Sequence, residues 1–92
     1  MRLDLFLKAS RLVVRRAVAQ ALCEANQIEV GGVVAKSSRA VKEGDEISLR
    51  RGQRVTVVRV LSIPTTKQVS KYEASKLYEI LSDTEQPAED WN

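Results

Sequence analysis

The sequence is poor in the residue types that build most metal, redox and base-stacking sites. Its 92 residues include no histidine, one cysteine, one tryptophan, one phenylalanine and two tyrosines. A single cysteine cannot form an intrachain disulfide, and without histidine a Cys/His zinc site is excluded. No apolar run is long enough for a signal peptide or for the roughly 20 residues of a membrane span. We therefore expect a soluble, cytoplasmic protein.

Catalytic and nucleotide-binding motifs are also missing. Without histidine, a nucleophilic Cys23 would need another base, and the sequence places this residue half-exposed in the middle of a helix. The acidic residues are scattered rather than paired for acid–base chemistry. The glycines lie in turns rather than in a Walker or dinucleotide motif. The sequence therefore predicts a binding module rather than an enzyme, with no cofactor and no metal.

Positive charge is concentrated in the first two thirds of the chain. Residues 1–60 contain twelve Lys and Arg, nine of them Arg, against six acidic residues, whereas residues 61–92 contain three lysines and six acidic residues. Arginine is suited to forked contacts with phosphate, so this distribution favours an anionic partner, most often nucleic acid. Ordinary solubilising charge is the alternative. Because exposed aromatic residues are scarce in the basic part, phosphate contacts to structured RNA are expected rather than stacking on single strands.

Two helices are predicted at the start of the chain. The first spans Leu3 to about Ala9, with Asp4 and Lys8 on the face opposite its apolar residues. The second spans about Val14 to Ala25. Its apolar stripe, predicted to face the core, consists of Ala17, Val18, Ala21, Leu22 and Ala25. The opposite side, predicted as the working surface, carries Arg16, Ala19, Gln20 and Cys23.

Arg15 and Arg16 stand at the predicted start of the second helix. The positive end of the helix dipole disfavours cations there by about 0.3–1 kcal/mol. We interpret the pair as a site for an anion such as phosphate; a solvated arginine pair is the alternative. On this interpretation, Arg16→Ala weakens binding without lowering stability. A DNA-reading helix-turn-helix is disfavoured, because Arg16 and Gln20 are the only base-reading side chains on the open side.

Short strands and tight turns follow the helices. Asn26 is predicted to end the second helix with positive φ, and Gly31-Gly32 between two β-rich runs predicts a type I′ hairpin. Turns at Gly44 and Gly52 lead into two further strands. The last of these changes its apolar phase at Val57-Val58, which indicates a bulge.

The final third predicts a helix and a tail. Ser70 and Glu73 match a capping box, so a C-terminal helix is predicted over 71–82. Residues 83–92 are acidic and predicted to be disordered, with Trp91 mobile. The predicted fold is α+β: two N-terminal helices packed on a small twisted antiparallel sheet, with a C-terminal helix. The predicted units are a domain over 1–61, a connector and helix over 62–82, and a tail over 83–92.

The first forty-five residues resemble the S-four RNA-binding domain, named after protein four of the small ribosomal subunit. The matching residues are RLD at 2–4, Leu7, Arg16, Ala19, then Ile28, Val30 and Gly32 for V-x-V-N-G, and Val41, Gly44 and Asp45 for V-x-x-G-D. Arg15 stands where the family usually has Ser. Asn26 and Gly31 replace the family's Gly and Asn, and both exchanges keep positive φ accessible.

The resemblance implies that two helices and a small twisted sheet grip folded RNA. The residues that it implies as RNA-binding are Arg2, Lys8, Arg11, Arg15, Arg16, Lys36 and Arg39. Separately from the resemblance, Asp4 lies on the neighbouring helix, where its carboxylate could orient Arg11 or Arg16 through a salt bridge.

Stand-alone copies of this domain that begin with RLDxFLKxSRLxxRR include the RqcP family of bacterial ribosome-associated quality control, and the small heat-shock ribosome-binding protein is similar. The stretch RLDLFLKASRLVVRR resembles them closely. This implies binding to large ribosomal subunits that hold stranded peptidyl-tRNA, with contacts to rRNA and tRNA. A factor that adds a C-terminal tail to the blocked nascent chain is a candidate partner. The alternative is a general rRNA-binding translation or ribosome-assembly factor. We expect a monomer that binds no membrane.

Overall fold

The computed structural model describes residues 1–66 and 68–85. Its elements in chain order are α1 (Leu3–Ala9), α2 (Arg16–Glu24), β1 (Ile28–Val30), β2 (Val33–Val34), β3 (Glu46–Arg51), β4 (Arg54–Val60), α3 (Lys71–Ala74) and β5 (Tyr78–Glu85). The strands form one antiparallel sheet in the order β2-β1-β3-β4-β5, and α1 and α2 share its hydrophobic core. The predicted α+β class is confirmed. Across these two ranges, no helix is both long and apolar enough to cross a membrane.

The first helix forms where it was predicted, but one of its polar residues lies inside. Leu3, Phe6 and Leu7 are fully buried, as the apolar spacing predicted. Asp4 is also fully buried, so its predicted place on the exposed face beside Lys8 is wrong. The reason is tertiary. The loop after β2 crosses the start of α1, where the backbone N–H of Leu3 donates to the Arg39 carbonyl oxygen at 2.7 Å.

The second helix packs mainly on the face opposite to the predicted one, although Leu22 of the predicted stripe is partly buried against the core. Ala19 and Cys23 are its buried residues, whereas Ala17, Val18 and Ala21 of the predicted core stripe are exposed. The predicted working surface of this helix is therefore its inward face. Both sides of α2 carry small residues, so hydrophobicity alone did not distinguish them. The polar residues of the inward face are instead accommodated by the buried carboxylate of Asp4.

The predicted hairpin and turns are confirmed. Gly31 and Gly32 have φ of +61° and +83° and join β1 to β2, as a type I′ turn requires. Asn26 ends the second helix with φ of +60°, as predicted. Turns at Gly44 and Gly52 precede β3 and β4.

The C-terminal helix is one turn long rather than three. The capping box is present, since the Ser70 hydroxyl accepts a hydrogen bond from the Glu73 backbone N–H at 3.1 Å. The helix ends at Ala74, however, and Tyr78–Glu85 is a strand, so the helix predicted over 71–82 is wrong beyond its first turn. The strand also includes residues 83–85 of the predicted tail. Trp91 and the rest of that tail lie outside the described residues.

The pairing of β5 with β4 explains this difference. β3 occupies one edge of β4, and the other edge would expose unpaired backbone N–H and C=O groups. β5 pairs with that edge through seven residue pairs, with a register shift at Val57/Val58 where the sequence indicated a bulge. The extra residue is Leu81 of β5. The apolar residues around Leu77 and Leu81 have the 3.6-residue spacing typical of a helix. The segment is nevertheless a strand, because the free edge of β4 is available for pairing.

Candidate nucleic-acid interface

A buried carboxylate joins α1 to α2 and holds two arginines. Asp4 Oδ1 accepts hydrogen bonds from Arg2 Nε at 3.2 Å and from the Leu5 backbone N–H at 2.8 Å. Asp4 Oδ2 accepts from Arg16 Nε at 3.1 Å and from Gln20 Nε2 at 2.9 Å. Asp4, Arg2, Arg16 and Gln20 are called the Asp4 cluster below. The predicted salt bridge from Asp4 to Arg16 is present, whereas Arg11 does not contact Asp4 in the described structure.

The cluster keeps Asp4 ionised and leaves positive charge at the surface. Burial acts to raise the pKa of Asp4, but the hydrogen bonds from Gln20, Arg16 and the Leu5 N–H outweigh it, so the pKa lies below its ordinary value. One carboxylate faces two guanidinium groups, which leaves a net charge of +1. The Arg2 and Arg16 side chains are 45% and 41% exposed. Both guanidinium groups are thus held in place on one side and open to a ligand on the other.

The position of the arginine pair at the start of α2 is partly explained by this cluster. Arg16 is the first residue of α2, and Asp4 offsets the unfavourable dipole at that position. Arg15 is the N-cap residue, is exposed, and makes no capping hydrogen bond through its side chain. The first N–H groups of α2 therefore have no side-chain cap, and Arg15 stands beside them.

The loop after β2 crosses the start of α1 and carries two further cations. Arg2 forms an isolated antiparallel bridge with Ala40, and the Asp4 N–H donates to the Ser37 carbonyl oxygen at 3.2 Å. These contacts fix Lys36 and Arg39, both exposed, on the loop that crosses the start of α1. Two of the predicted RNA-binding residues, Arg2 and Arg16, thus contact Asp4. Two more, Lys36 and Arg39, lie on the crossing loop, where Lys36 lines a cavity with Cys23 and Glu24 at the far end of α2.

The other three predicted residues lie elsewhere along the helices. Lys8 and Arg11 line a cavity of about 490 Å³ with Val14, Val69 and Ser70. Arg15 lines a smaller cavity with Val14, Val18 and Arg51. The sequence did not single out Arg51, and no local pattern could have, because it reaches from the end of β3 to the turn between α1 and α2, where it donates to the Leu12 carbonyl oxygen. Gln20 was placed on the working surface, but its hydrogen bond to Asp4 was not predicted.

The two arginines of β4 are paired with acids. Arg54 contacts Asp83 at 2.8 Å, and Arg59 contacts Glu79 at 3.0 Å and Glu46 at 3.4 Å. Hydrogen bonds from Arg54 and Thr56 hold the pKa of Asp83 at about 2. Within residues 1–66 and 68–85, Asp4 is the one acid that forms a salt bridge with the cations of α1, α2 or the crossing loop. Unneutralised positive charge therefore lies at the helical end.

A family comparison agrees with this architecture. The family model described as S4 domain matches residues 1–47, which is half of the chain. The chain belongs to the S4 domain family. The resemblance predicted from the motifs of the first forty-five residues is therefore confirmed.

Several curated relatives match nearly the whole chain. Those described here are each named RQC P-site tRNA stabilizing factor. The protein from Halalkalibacterium halodurans is 50% identical over 80 residues, covering 87% of this chain and 89% of the relative. The protein from Bacillus subtilis is 42% identical and covers 90% and 94%. The protein from Streptococcus pneumoniae is 39% identical and covers 91% and 93%.

Two solved structures share the fold. Heat shock protein 15 from Vibrio cholerae, solved as a trimer, superposes with a TM-score of 0.80 at 29% identity, over 89% of this chain and 82% of that one. The hypothetical protein HP1423 superposes with a TM-score of 0.78 at 33% identity, over 89% of this chain and 98% of that one. The fold shared with these two structures thus extends beyond the 47 residues of the family match.

Proposed function

We propose that this protein binds the large ribosomal subunit carrying stranded peptidyl-tRNA, contacts rRNA and tRNA, and supports C-terminal tailing of stalled nascent chains. The relatives named RQC P-site tRNA stabilizing factor, aligned over most of both chains, support the quality-control setting. The observation that carries the RNA contact is the Asp4 cluster, with two partly exposed guanidinium groups held by one buried carboxylate. A general rRNA-binding translation or ribosome-assembly factor is the alternative.

The geometry at the start of α2 suits a phosphate group. Guanidinium groups make charge-assisted, forked hydrogen bonds to phosphate oxygens, and Asp4 limits the orientations that Arg2 and Arg16 can take. Uncapped N–H groups at a helix start add further donors and a favourable dipole. Lys36 and Arg39 on the crossing loop extend the surface to neighbouring phosphates. Such contacts read the shape of folded RNA more than its sequence.

Binding to rRNA is expected to fall steeply with salt. Each phosphate neutralised by Lys or Arg releases counterions, so log K against log[salt] should be linear, with a slope of about −0.7 to −0.9 per phosphate contacted. Filter binding or anisotropy with large-subunit rRNA at a series of salt concentrations measures this slope. Affinity that barely changes between low and physiological salt would contradict a phosphate-based interface.

The identity of the bound RNA decides between the two functions. Affinity purification of the tagged full-length protein, with sequencing of bound RNA and mass spectrometry of bound proteins, gives the partners. Large-subunit rRNA together with tRNA and a tail-adding factor supports quality control. Large-subunit rRNA alone supports the general ribosome factor. Messenger RNA or DNA alone contradicts both. We also propose that the protein is cytoplasmic and monomeric. Light scattering of the purified protein tests the monomeric state.

We further propose that the protein acts by binding and not by catalysis. Cys23, its one thiol, is 4% exposed, not half-exposed as predicted. Burial raises the pKa of this thiol, and the Asp4 and Glu24 carboxylates raise it further. A buried neutral thiol is a poor nucleophile.

Cys23→Ser is therefore expected to leave ribosome binding nearly unchanged. The added hydroxyl in the core should lower the free energy of unfolding by about 1 kcal/mol. Ribosome co-sedimentation and thermal melting measure the two effects, with Cys23→Ala as a control that adds no polar group. Lost binding in a variant with an unchanged melt would show that the thiol has a functional role.

A further inference from the structure

The outward face of α2 is apolar and uncovered. Ala17, Val18 and Ala21 lie on the side away from the Asp4 cluster and are exposed, with Val18 39% exposed. Val14, in the turn before α2, is 71% exposed and lines one cavity with Val18. No described part of the chain packs over this strip, although Ala17, Val18 and Ala21 were predicted to face the core.

Cations that have no carboxylate partner within residues 1–66 and 68–85 lie beside the strip. Lys8 and Arg11 line one cavity with Val14, and Arg15 and Arg51 line a second cavity with Val14 and Val18. The guanidinium groups of Arg11 and Arg51 reach only backbone carbonyl oxygens, each at 3.4 Å. Neither cavity includes an acidic side chain among its described lining residues. The surface thus has an apolar centre with cations beside Val14 and Val18, and the exposed Glu24 lies one helical turn beyond Ala21.

We infer that this face docks a helical segment of a partner protein, one with small apolar side chains along its contact face and Asp or Glu at its edges. Burial of Val14 and Val18 against apolar side chains is favourable, and carboxylates would meet Arg51 and the other cations beside the strip. Short Ala and Val side chains allow two helices to approach closely. Charge-depleted centres with arginine nearby are typical of protein interfaces.

RNA fits this face less well than protein does. Phosphate makes no favourable contact with exposed valine side chains. Nucleobases stack best on aromatic side chains, and the strip has none. The implied RNA contacts of Lys8 and Arg11 therefore become the alternative that an experiment must distinguish. The Asp4 cluster lies on the opposite side of α2, so both surfaces could be occupied together.

The first test is site-specific photo-crosslinking. The full-length protein carries benzoylphenylalanine at position 18, or at exposed position 53 in the β3–β4 turn as a control, and is irradiated on purified native ribosomal complexes. A product at position 18 that protease removes and nuclease does not is expected. A nuclease-sensitive product, or none above the control, overturns the proposal.

The second test uses the crosslinked peptide, identified by mass spectrometry and then synthesised. Val14→Asn combined with Val18→Asn should weaken its binding at least about tenfold, the loss expected when two valines no longer bury apolar area. Arg51→Glu should also weaken it, and a peptide with lysine in place of the facing carboxylate should restore affinity. Peptide binding that ignores these changes overturns the proposal.

The same variants separate this inference from the proposed RNA contact. Val14 and Val18 are exposed, so the double variant should melt at nearly the wild-type temperature and bind rRNA with wild-type affinity. If rRNA binding falls with peptide binding unchanged, the face is an RNA surface and the inference fails. If neither the wild type nor the double variant binds rRNA, the proposed function fails, whereas the peptide-binding result still decides the inference. Val14→Thr, which keeps the branched shape, provides a milder variant for the same measurements.

Discussion

Replacing Asp4 with alanine is expected to lower the free energy of unfolding by about 3 kcal/mol, the lower end of the range for removing one member of a buried ion pair. The lower end applies because Arg2 and Arg16 are partly exposed and can turn toward water when the carboxylate is lost. Gln20 and the Leu5 N–H also lose their acceptor. For a domain of this size the melting temperature should fall by about 12–24 °C.

The pH dependence of this difference identifies the carboxylate as its cause. The pKa of Asp4 is depressed in the folded protein, so its contribution is fully present above the unfolded value of 3.8. It is lost as the pH falls through the lower folded value. Thermal melts of wild type and Asp4→Ala should therefore differ at neutral pH and converge in acid. Equal melting temperatures at neutral pH would show that the cluster contributes nothing to stability.

Replacing Arg16 with alanine is expected to weaken ribosome binding ten- to a hundredfold. A charge-assisted contact to phosphate is worth about 1.5–3 kcal/mol, which corresponds to that range of affinity. The sequence alone predicted no effect on stability, but the contact with Asp4 changes this expectation. The pair is partly exposed and Arg2 remains, so a loss of at most about 1 kcal/mol is expected.

Arg15→Ala is the matched control for this experiment. It removes the neighbouring cation, which has no side-chain cap contact and no carboxylate partner in the described structure. Both variants should reduce co-sedimentation with ribosomes, and only Arg16→Ala should lower the melting temperature. Unchanged co-sedimentation for both would mean that the pair is a solvated face. A collapsed fold in Arg16→Ala would mean that this arginine is chiefly structural.

The features predicted correctly are those that depend on residues close together in the sequence. The Gly31-Gly32 turn, the left-handed Asn26 and the Ser70–Glu73 capping box each depend on residues within four positions of one another. The bulge beside Val57 was visible as a change of phase. These signals do not require knowledge of what packs against them.

The features predicted wrongly depend on contacts between distant segments. The inward face of α2 contains Arg16 and Gln20, and only a buried carboxylate twelve and sixteen residues earlier makes that orientation favourable. β5 is a strand because β4 offers it an edge. At the candidate interface the RNA-binding role of the predicted residues stays a prediction, and the sequence did not show that these residues lie at three separate places on the surface.

Because the arginines of β4 are paired with acids, positive charge is distributed unevenly over the molecule. Residues 1–42 contain eight Lys and Arg against three acids, whereas residues 43–85 contain seven of each. The chain is thus a charge dipole and not a uniformly basic body. In the field of a polyanion such a dipole rotates before it touches, so more collisions begin with the helices in front. Asp83 and Glu79 neutralise Arg54 and Arg59. This end of the molecule is therefore attracted less to a polyanion, and fewer collisions begin with the sheet in front.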